Sequence, residues 1–328
     1  MMKALVTGAR GFIGSQLVET LIAQGAEVHC LLRTRRHATN WLSGLECKIL
    51  AGDLTDRSSL STVWQEFDYV FHLAGLTKAL DPAQFDRVNT AGTENLLAAV
   101  AQHAGPLKMF VFVSSLAAAG PSRSGRPLVE TDPPQPVSRY GQSKLAAERI
   151  CLKYADSMPL TIVRPPAVYG PRDADVLTYF RYARRGLRPV IGKEERTASF
   201  IFVKDLVDGI LLAAQKPAAA GRTYFLSDGQ PHTWDELGSV IASVMGMSVR
   251  KIVLPLSLAF LAAAGADAMS RMTRKPSIIN LDKYRELKMP HWVCSSARAT
   301  AELGFRPRYT LKQGLFETAT WYKQHGWL

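Results

Sequence analysis

The chain has few cysteines, and neither its cysteines nor its histidines are spaced as metal ligands are. The four cysteines are scattered without a C-x-x-C pair: Cys30, Cys47, Cys151 and Cys294. The seven histidines show no ligand spacing either. Clustered ligands are needed for a zinc site, so no metal site is expected. Scattered thiols and an N-terminus that begins directly with a strand predict a cytoplasmic protein without a secretion signal.

Long hydrophobic runs are also missing. The uncharged stretch from Ile252 to Ala266 is shorter than the roughly 20 residues that a membrane-spanning helix needs. Three basic residues follow it, namely Arg271, Arg274 and Lys275. The stretch predicts either a buried helix over a substrate pocket or an interfacial helix with a basic rim. In the second case, residues 252–275 would make a peripheral membrane contact.

The charge is unbalanced, with 40 Lys or Arg residues against 28 Asp or Glu residues and a net charge of +12. The basic clusters contain no interleaved aromatic residues of the RNA-binding kind, so no nucleic-acid partner is expected. Anionic small molecules or a membrane surface suit this charge better. The hydrophobic content of 47% and charged content of 21% are typical of a globular protein.

A glycine-rich turn lies between the first strand and the first helix. Lys3 to Val6 predicts a short buried strand, and Ser15 to Gln24 predicts a helix. Between them, Gly8 can take a tight turn, Gly11 leaves room for a pyrophosphate, and Gly14 lets the helix pack closely on the strand. The N–H groups at the start of the helix would then face phosphates. A glycine-rich turn without a ligand is the alternative.

Strand and helix signals alternate through the first half of the chain. Apolar runs predict further strands at residues 27–33, 47–51, 69–73, 109–113 and 160–164. This order predicts an α/β fold with a doubly wound parallel sheet. We expect residues 1–172 to form a dinucleotide-binding domain. Residues 173–328 would form a smaller substrate-binding region, with about 198–228 returning partly to the sheet.

The second strand ends in a basic residue. NAD-binding folds usually place Asp or Glu there to hold the ribose 2′-hydroxyl, whereas this chain has Arg33. An arginine suits a 2′-phosphate, so NADP is favoured over NAD, and Arg10 could reach the same phosphate. Arg35 and Arg36 either help or form a solvated loop. Asp53, at the end of the third strand, could accept a hydrogen bond from adenine or cap the helix that starts near Arg57.

A tyrosine and a lysine lie four residues apart in a predicted helix. Tyr140 and Lys144 therefore project from one face, where the ammonium would lower the pKa of the phenol. Such a tyrosine can exchange a proton with a carbonyl oxygen. Ser115, at the end of the fifth strand, could bond the same oxygen. Ser114 is adjacent, and Ser115 is preferred from its spacing to Gly120 and Tyr140.

With these motifs the sequence resembles the extended short-chain dehydrogenase/reductase superfamily, in its NAD(P)-dependent epimerase/dehydratase group. The resemblance runs over nearly the whole chain and is carried by Thr7-Gly8-Ala9-Arg10-Gly11-Phe12-Ile13-Gly14, Gly52-Asp53-Leu54, His72-Leu73-Ala74-Gly75, Asn89 with Gly92-Thr93, Val113-Ser114-Ser115, Tyr140 with Lys144, and Arg164-Pro165-Pro166-Ala167-Val168-Tyr169-Gly170-Pro171. It implies a Rossmann-type fold and an NAD(P)-dependent enzyme.

The resemblance also implies site residues. Ser115 would polarise a carbonyl, Tyr140 would be the general acid/base, and Lys144 would also bind the nicotinamide ribose. Together with the residues inferred above, the expected cofactor-binding set is Gly8, Arg10, Gly11, Phe12, Ile13, Gly14, Arg33, Arg36, Asp53, Leu54, Leu73, Ala74, Gly75, Asn89, Val113, Ser114, Tyr140, Lys144, Pro165, Ala167 and Val168.

Two positions of the chain favour redox chemistry over epimerisation. Sugar-nucleotide epimerases of this group usually carry Asn where Ala167 stands and an acidic residue at the end of the second strand. The chain looks more like the dihydroflavonol reductase and 3β-hydroxysteroid dehydrogenase branch. The main hypothesis is an oxidoreductase that interconverts a secondary alcohol and a ketone. A nucleotide-sugar epimerase or dehydratase with tightly bound NAD(P) and a non-catalytic dinucleotide sensor remain alternatives. The resemblance further implies a homodimer formed through the helices of Asn89 and Tyr140.

Overall fold

A seven-stranded parallel sheet forms the centre of the molecule. The structure is a computed structural model that describes residues 2–33, 41–61, 65–103, 105, 107–273, 277 and 280–328. The strands of the sheet are β1 (Lys3–Thr7), β2 (Glu27–Leu32), β3 (Cys47–Ala51), β4 (Tyr69–His72), β5 (Met109–Val113), β6 (Leu160–Arg164) and β10 (Thr223–Phe225). Their spatial order is β10-β6-β5-β4-β1-β2-β3. The predicted doubly wound parallel sheet is therefore confirmed.

Both faces of this sheet are covered, because alternate strand residues point to opposite sides. Val6 packs in one apolar core with α1 (Phe12–Ala23) and α8 (Val203–Gln215). Leu5 packs in a second core with α4 (Gly92–His103) and α6 (Arg139–Tyr154). Every residue of β5 is buried, as expected for a central parallel strand.

The carboxyl ends of the central strands meet at one edge of the sheet. The last residue of β1, Thr7, is paired with His72 of β4, which is paired in turn with Phe112 of β5. Val113, the last residue of β5, is paired with Val163 of β6. Ligands of open α/β sheets bind outside this edge.

The sequence from about Gln84 to Gln102 predicts one helix, which the structure shows to be divided. It begins as α3 (Pro82–Phe85), passes through a π-helical turn (Asp86–Ala91), and continues as α4. Such π turns widen a helix by one residue and occur often at functional sites. Asn89 lies within this turn, so its side chain leaves the helix at a different angle from its neighbours.

The C-terminal region has its own small sheets and core. Its strands are β7 (Ala167–Tyr169), β8 (Leu187–Ile191), β9 (Thr197–Phe202), β11 (Pro231–Thr233), β12 (Arg250–Leu254) and β13 (His291–Trp292). Strand β9 pairs with β7, β11 and β13, while β8 pairs with β12. Three helices complete this core: α7 (Leu177–Arg184), α9 (Trp234–Met245) and α13 (Leu311–Gln324).

Two stretches of this region have bounds that differ from those their sequence indicates. The basic run from Leu177 to Arg188 predicts a helix, but α7 ends at Arg184, because Gly186 adopts a φ of +72° and Pro189 lies in the strand that follows. The helix expected within the stretch from Ile252 to Ala266 is present as α10 (Leu256–Thr273), which follows β12 and runs past Gly265.

The alternative that α10 is buried over a pocket is also wrong. Five of its large apolar side chains are exposed: Leu258 by 49%, Phe260 by 44%, Leu261 by 65%, Met269 by 58% and Met272 by 81%. In the described part of the chain, no helix has both the length and the apolarity that a membrane crossing requires. Helices α11 (Leu281–Leu287), α12 (Ala297–Leu303), α5 (Leu116–Ala119) and α2 (Arg57–Ser61) complete the description.

Candidate active site

The glycine turn after β1 forms a tight backbone cradle. Gly8 has a φ of +73°, and a Cβ there would lie 2.7 Å from the backbone nitrogen of Ala74. A Cβ on Gly14 would lie 2.2 Å from the carbonyl oxygen of Gly8. Gly11 is the N-cap residue of α1 and supplies no side-chain cap, so N–H groups at the start of α1 are left for a ligand.

A buried hydrogen-bond chain fixes the strand ends beside this cradle. The Ala74 N–H donates to Thr7 Oγ1 at 3.1 Å, and the Thr7 hydroxyl lies 2.7 Å from His72 Nδ1. His72 Nε2 lies 2.9 Å from Thr93 Oγ1, whose hydroxyl donates to the Asn89 carbonyl at 2.6 Å. His72 is fully buried, and this burial lowers its pKa to about 3. The neutral ring therefore links β1 and β4 to the π turn.

Asn89 holds the loop after β4 against α6. Its Oδ1 accepts from the Leu76 N–H at 2.7 Å, and its Nδ2 donates to Leu76 O and to Ser143 Oγ, both at 2.9 Å. Gly75 is exposed at this point, and a Cβ on it would lie 3.1 Å from Asn89 Oδ1 and 4.0 Å from Lys144 Nζ. The exposed backbone of Gly75 therefore lies beside the candidate lysine.

The structure brings the candidate serine and tyrosine together. Ser115 is the N-cap of α5, where its hydroxyl oxygen accepts from the Ala117 N–H at 3.1 Å. Its side chain also lies beside the half-buried Tyr140, whose pKa it lowers. The neighbouring Ser114 is buried, and its hydroxyl has no hydrogen-bond partner among the described residues. Two adjacent hydroxyls thus follow β5, one beside the tyrosine and one unpartnered.

Lys144 projects from the same face of α6 toward the end of β5. Its ammonium donates to the carbonyl oxygen of Val113 at 2.7 Å and lies 4.2 Å from the ring centroid of Phe112. Burial disfavours the charged form, so the pKa of Lys144 falls to about 8. The negative charge of Glu148 opposes this shift.

The expected acidification of Tyr140 is wrong. Its pKa is raised to about 12, because burial disfavours the phenolate and outweighs the opposing effect of Ser115. The charge of Glu286 raises this pKa further, while the ammonium of Lys144 is bonded to Val113 instead. The phenol is therefore protonated at neutral pH, the form that can donate a proton to a carbonyl oxygen.

Residues predicted to hold the adenosine end lie along the outer strands. Arg10 and Arg33 are both exposed, the first in the glycine turn and the second directly after β2. Arg36 lies outside the described residues. Leu54 is buried under Gly92, and its carbonyl accepts from Asn95.

The helix-capping alternative for Asp53 is wrong. Its Oδ1 accepts from the N–H and hydroxyl of Thr55 at 2.9 and 2.8 Å, while Asp56 accepts from the Ser58 N–H at the start of α2. Asp56 therefore caps α2, because the helix begins four residues after Asp53 and one after Asp56. Asp53 remains half-buried at the strand end, where an adenine amine could reach it.

The remaining predicted residues border the same edge. Phe12 and Ile13 begin α1 and pack partly against the C-terminal core. Leu73 and Ala74 follow β4 and are half-buried. Pro165, Ala167 and Val168 follow β6, where the carbonyl of Pro165 accepts from the Leu116 N–H at 2.8 Å.

Sequence reasoning missed one buried ion pair on the face of α6 that carries Tyr140 and Lys144. Glu148 is one turn beyond Lys144, and both of its oxygens accept from Arg164 at 2.9 and 2.6 Å. Both side chains are buried. The i, i+4 spacing of Tyr140, Lys144 and Glu148 was the signal that could have revealed it, since all three must share one face.

Two further acidic residues were missed because they are distant in sequence. Asp282 accepts from the N–H groups of Arg139 and Tyr140 at 2.8 and 3.2 Å. Glu286 accepts from the Ser138 hydroxyl at 2.7 Å. No local pattern links positions 138–140 with 282–286, so only the fold could bring them together.

These features fit a dinucleotide. A Cβ at Gly8 or Gly14 would collide with the backbone and break the tight turn, the N-terminus of α1 has no side-chain cap, and an unpartnered hydroxyl follows β5. Such a group supplies a hydride donor or acceptor when it is bound. In the described part of the chain, no cluster of three His, Cys, Asp or Glu residues could hold a metal ion.

Known proteins with this fold are similar over nearly the whole length. The family model described as "NAD dependent epimerase/dehydratase family" matches residues 4–226. The chain belongs to the NAD-dependent epimerase/dehydratase family. Within it, ceramide reductase of Caulobacter vibrioides is 36% identical over 326 residues, covering 98% of this chain and 95% of that protein.

Two other relatives illustrate the range of the family. The 4-hydroxy-2-methyl-3-oxo-4-farnesyl-3,4-dihydroquinoline-1-oxide ketoreductase of Stigmatella aurantiaca is 30% identical over 330 residues, covering 96% of this chain and 95% of that protein. The UDP-glucose 4-epimerase of Thermus thermophilus, solved in complex with NAD, is 26% identical. It superimposes with a TM-score of 0.78, covering 98% of this chain and 99% of that one. The family makes this protein an NAD(P)-dependent enzyme of the oxidoreductase and epimerase type.

Proposed function

We propose that the protein is an NADP-dependent reductase of a ketone carried on a long apolar substrate. The observation that carries this proposal is the pairing of Ser115 with a protonated Tyr140 beside the glycine cradle. The two hydroxyls can bind one carbonyl oxygen, and Tyr140 can then give that oxygen its proton. Lys144 would orient the nicotinamide ribose from its position beside Gly75.

The apolar part of the substrate is inferred from α10 and from the relatives. Ceramide and a farnesyl-bearing quinoline, named in two relatives, both carry long hydrocarbon chains. In this chain, Leu258, Leu261 and Met269 place apolar surface on the outside of α10. We propose that residues 252–275 contact the surface of a membrane, from which such a substrate would be taken.

A substrate series tests the proposal. Ceramide whose secondary alcohol has been oxidised to the ketone, alkan-2-ones of increasing chain length, and UDP-glucose would each be offered with NADPH. We expect turnover of the ketones with a kcat/KM that rises with chain length. Tyr140→Phe should abolish turnover, whereas Tyr154→Phe, at the other end of α6, should not. Equal turnover by Tyr140→Phe would refute the catalytic assignment.

An epimerase is the second candidate because the family includes UDP-glucose 4-epimerases. Ala167 offers only a methyl group where sugar-nucleotide epimerases usually carry an amide, which weakens this alternative. Conversion of UDP-glucose without net oxidation of NADPH, by protein purified with tightly bound NAD, would favour the epimerase.

Arg33 supports the preference for NADP. An exposed guanidinium after β2 can pair with a 2′-phosphate, and Arg36 lies close in sequence. We expect NADPH to bind at least tenfold more tightly than NADH, about 1.4 kcal/mol. Arg33→Ala should remove most of that difference, and Arg306→Ala, at another exposed site, should not.

A homodimer through α4 and α6 and a cytoplasmic location also remain proposals. Leu152 on α6 is 51% exposed, which provides apolar surface for a partner helix. All four cysteines are free thiols, as expected for a reducing compartment. Sedimentation of the parent and of Leu152→Glu tests the dimer, which the glutamate should dissociate.

A further inference from the structure

Helix α11 is held firmly at both ends. Its N-cap residue Asn280 accepts from the Lys283 N–H at 2.7 Å. At the other end, Arg196 donates to the carbonyl oxygens of Leu287 and Met289 at 2.5 and 3.3 Å. Arg196 itself is buried. Both ends of this seven-residue helix therefore have hydrogen-bond partners, which hold α11 in one position as a rigid strut.

One face of this strut meets the first turn of the helix that carries Tyr140. Asp282 and Glu286 are four residues apart and therefore share that face. Together they accept from the N–H groups of Arg139 and Tyr140 and from the Ser138 hydroxyl. N–H groups in the first turn of a helix have no partner within the helix. The two carboxylates supply such partners, so they hold the first turn of α6 in place and put negative charge beside it.

The other side of the strut meets α10. Tyr284 lies between Asp282 and Glu286 in sequence, and its ring packs edge-on against Phe260 at 5.3 Å between centroids. Phe260 belongs to the same helix as the exposed Leu258, Leu261, Met269 and Met272. A displacement of α10 would therefore be passed through Tyr284 to the two carboxylates of α11 that hold the first turn of α6.

The charge around α10 indicates which surface its apolar side chains meet. Between residues 250 and 275, the sequence has five Lys or Arg residues and one acidic residue, Asp267. Exposed apolar side chains on α10, together with basic residues that precede and follow it in the sequence, match the headgroup region of an anionic bilayer. A second protein copy would need a complementary acidic face, which α10 does not provide for itself.

We propose that Asp282 and Glu286 are positioning residues through which docking of α10 on an anionic lipid bilayer adjusts proton transfer by Tyr140. This inference rests on the proposed reductase function and adds its regulation. In solution, the two carboxylates hold the first turn of α6 in the position seen here. Docking moves α10 against Tyr284, shifts the strut, and changes how closely Glu286 faces the phenol.

The side chains that meet Tyr140 define the pH readout. Ser115 comes from α5 and Phe85 from α3, neither of which is charged. Asp282 and Glu286 come from α11, and Lys144 lies one turn along α6. For ketone reduction the phenol must be protonated, so at saturating NADPH the rate falls where Tyr140 loses its proton, well above the pH at which Lys144 loses its charge. Removing the Glu286 charge should move this fall to lower pH, by about 0.5 pH unit or more.

The test uses the full chain with NADPH and a short, water-soluble ketone. Turnover is measured across pH without vesicles, with phosphatidylcholine vesicles, and with vesicles that also contain phosphatidylglycerol. We expect the parent to bind the anionic vesicles. In the bound state, the alkaline limb of its pH–rate profile, where turnover falls, should shift. Asp282→Asn and Glu286→Gln should bind these vesicles as tightly as the parent does. The alkaline limb of their pH–rate profiles should nevertheless stay at the same pH with and without vesicles. Asp156→Asn, an exposed charge change beyond the other end of α6, should behave as the parent.

A second variant leaves the carboxylates in place. Phe260→Leu keeps the surface of α10 apolar but removes the ring that contacts Tyr284, so it should bind vesicles without changing the alkaline limb. Vesicle response retained in all three variants would overturn the proposal. A parent that binds no vesicles, or that binds them without any change in its pH profile, would also overturn it. Continued ketone turnover in that case would leave the proposed reductase function intact.

Discussion

Gly11→Ala separates folding from cofactor binding at the glycine cradle. Gly11 has φ and ψ of −75° and 171°, a conformation that alanine adopts without strain. A Cβ there would meet only the carbonyl oxygen of Gly8, at 3.2 Å, so a shift of a few tenths of an ångström accommodates it. The methyl group would nevertheless stand at the N-cap of α1, where no side chain now covers the N–H groups.

The two effects of this methyl group differ in size. We expect the free energy of unfolding to stay within about 1 kcal/mol of the parent, because the backbone conformation is unchanged. Cofactor affinity should fall by about 100-fold, roughly 2.7 kcal/mol, because the pyrophosphate can no longer approach the N–H groups. Gly14→Ala should lower both quantities, since its Cβ would lie only 2.2 Å from Gly8 O.

Fluorescence titration with NADPH and urea unfolding measure these two quantities on the same preparations. The titration is interpreted for Gly11→Ala only where the unfolding midpoint stays near that of the parent. If the folded variant bound NADPH within twofold of the parent, the turn would not be the phosphate cradle, and the proposed cofactor site would be wrong.

Four further perturbations have defined outcomes. Gly265→Ala should raise the unfolding free energy by about 0.5–1 kcal/mol, since no atom lies within 4 Å of its Cβ position in α10. Glu148→Gln should lower it by roughly 3–5 kcal/mol in urea unfolding, because the Arg164 guanidinium stays buried without its partner; a milder loss would mean that water reaches the pair. The unfolded chain protonates His72 near pH 6.5 while the folded chain resists to about pH 3, so stability falls as pH drops through this window, by up to about 1.4 kcal/mol per pH unit; His72→Asn should flatten this dependence. Lys144 loses its charge above about pH 8, so NADPH affinity should weaken between pH 7 and 9 in the parent and not in Lys144→Met.

The sheet was predictable because its signals are local. Strands β3, β5 and β6 have the bounds that their apolar runs predict, and the strand–helix alternation indicates a parallel order. The C-terminal region was harder to predict. Short strands such as β8 and β13 have too few residues to show the alternation of apolar and polar side chains that marks a strand. Helix α13 has a capping box at Thr310 and Gln313, a local signal that was not recognised.

At the candidate site, residue identity was easier to predict than electrostatic behaviour. Spacing alone placed Tyr140 and Lys144 on one face of α6, and the motifs placed Ser115 nearby. The sign of the Tyr140 pKa shift was wrong because it depends on burial and on Glu286, a residue from another part of the chain. A sequence pattern reports which groups are close along a helix, but burial is a property of the packed fold.

The raised pKa of Tyr140 and the lowered pKa of Lys144 have one cause, and it bears on the direction of the reaction. Burial disfavours phenolate and ammonium alike, so it keeps the tyrosine protonated and brings the lysine close to neutrality. A protonated phenol can donate the proton that a carbonyl oxygen takes up during reduction. Oxidation of an alcohol would first require the phenolate, which this environment disfavours. The charge of Glu286 acts in the same sense, so the helix that holds the first turn of α6 also helps to keep the phenol protonated.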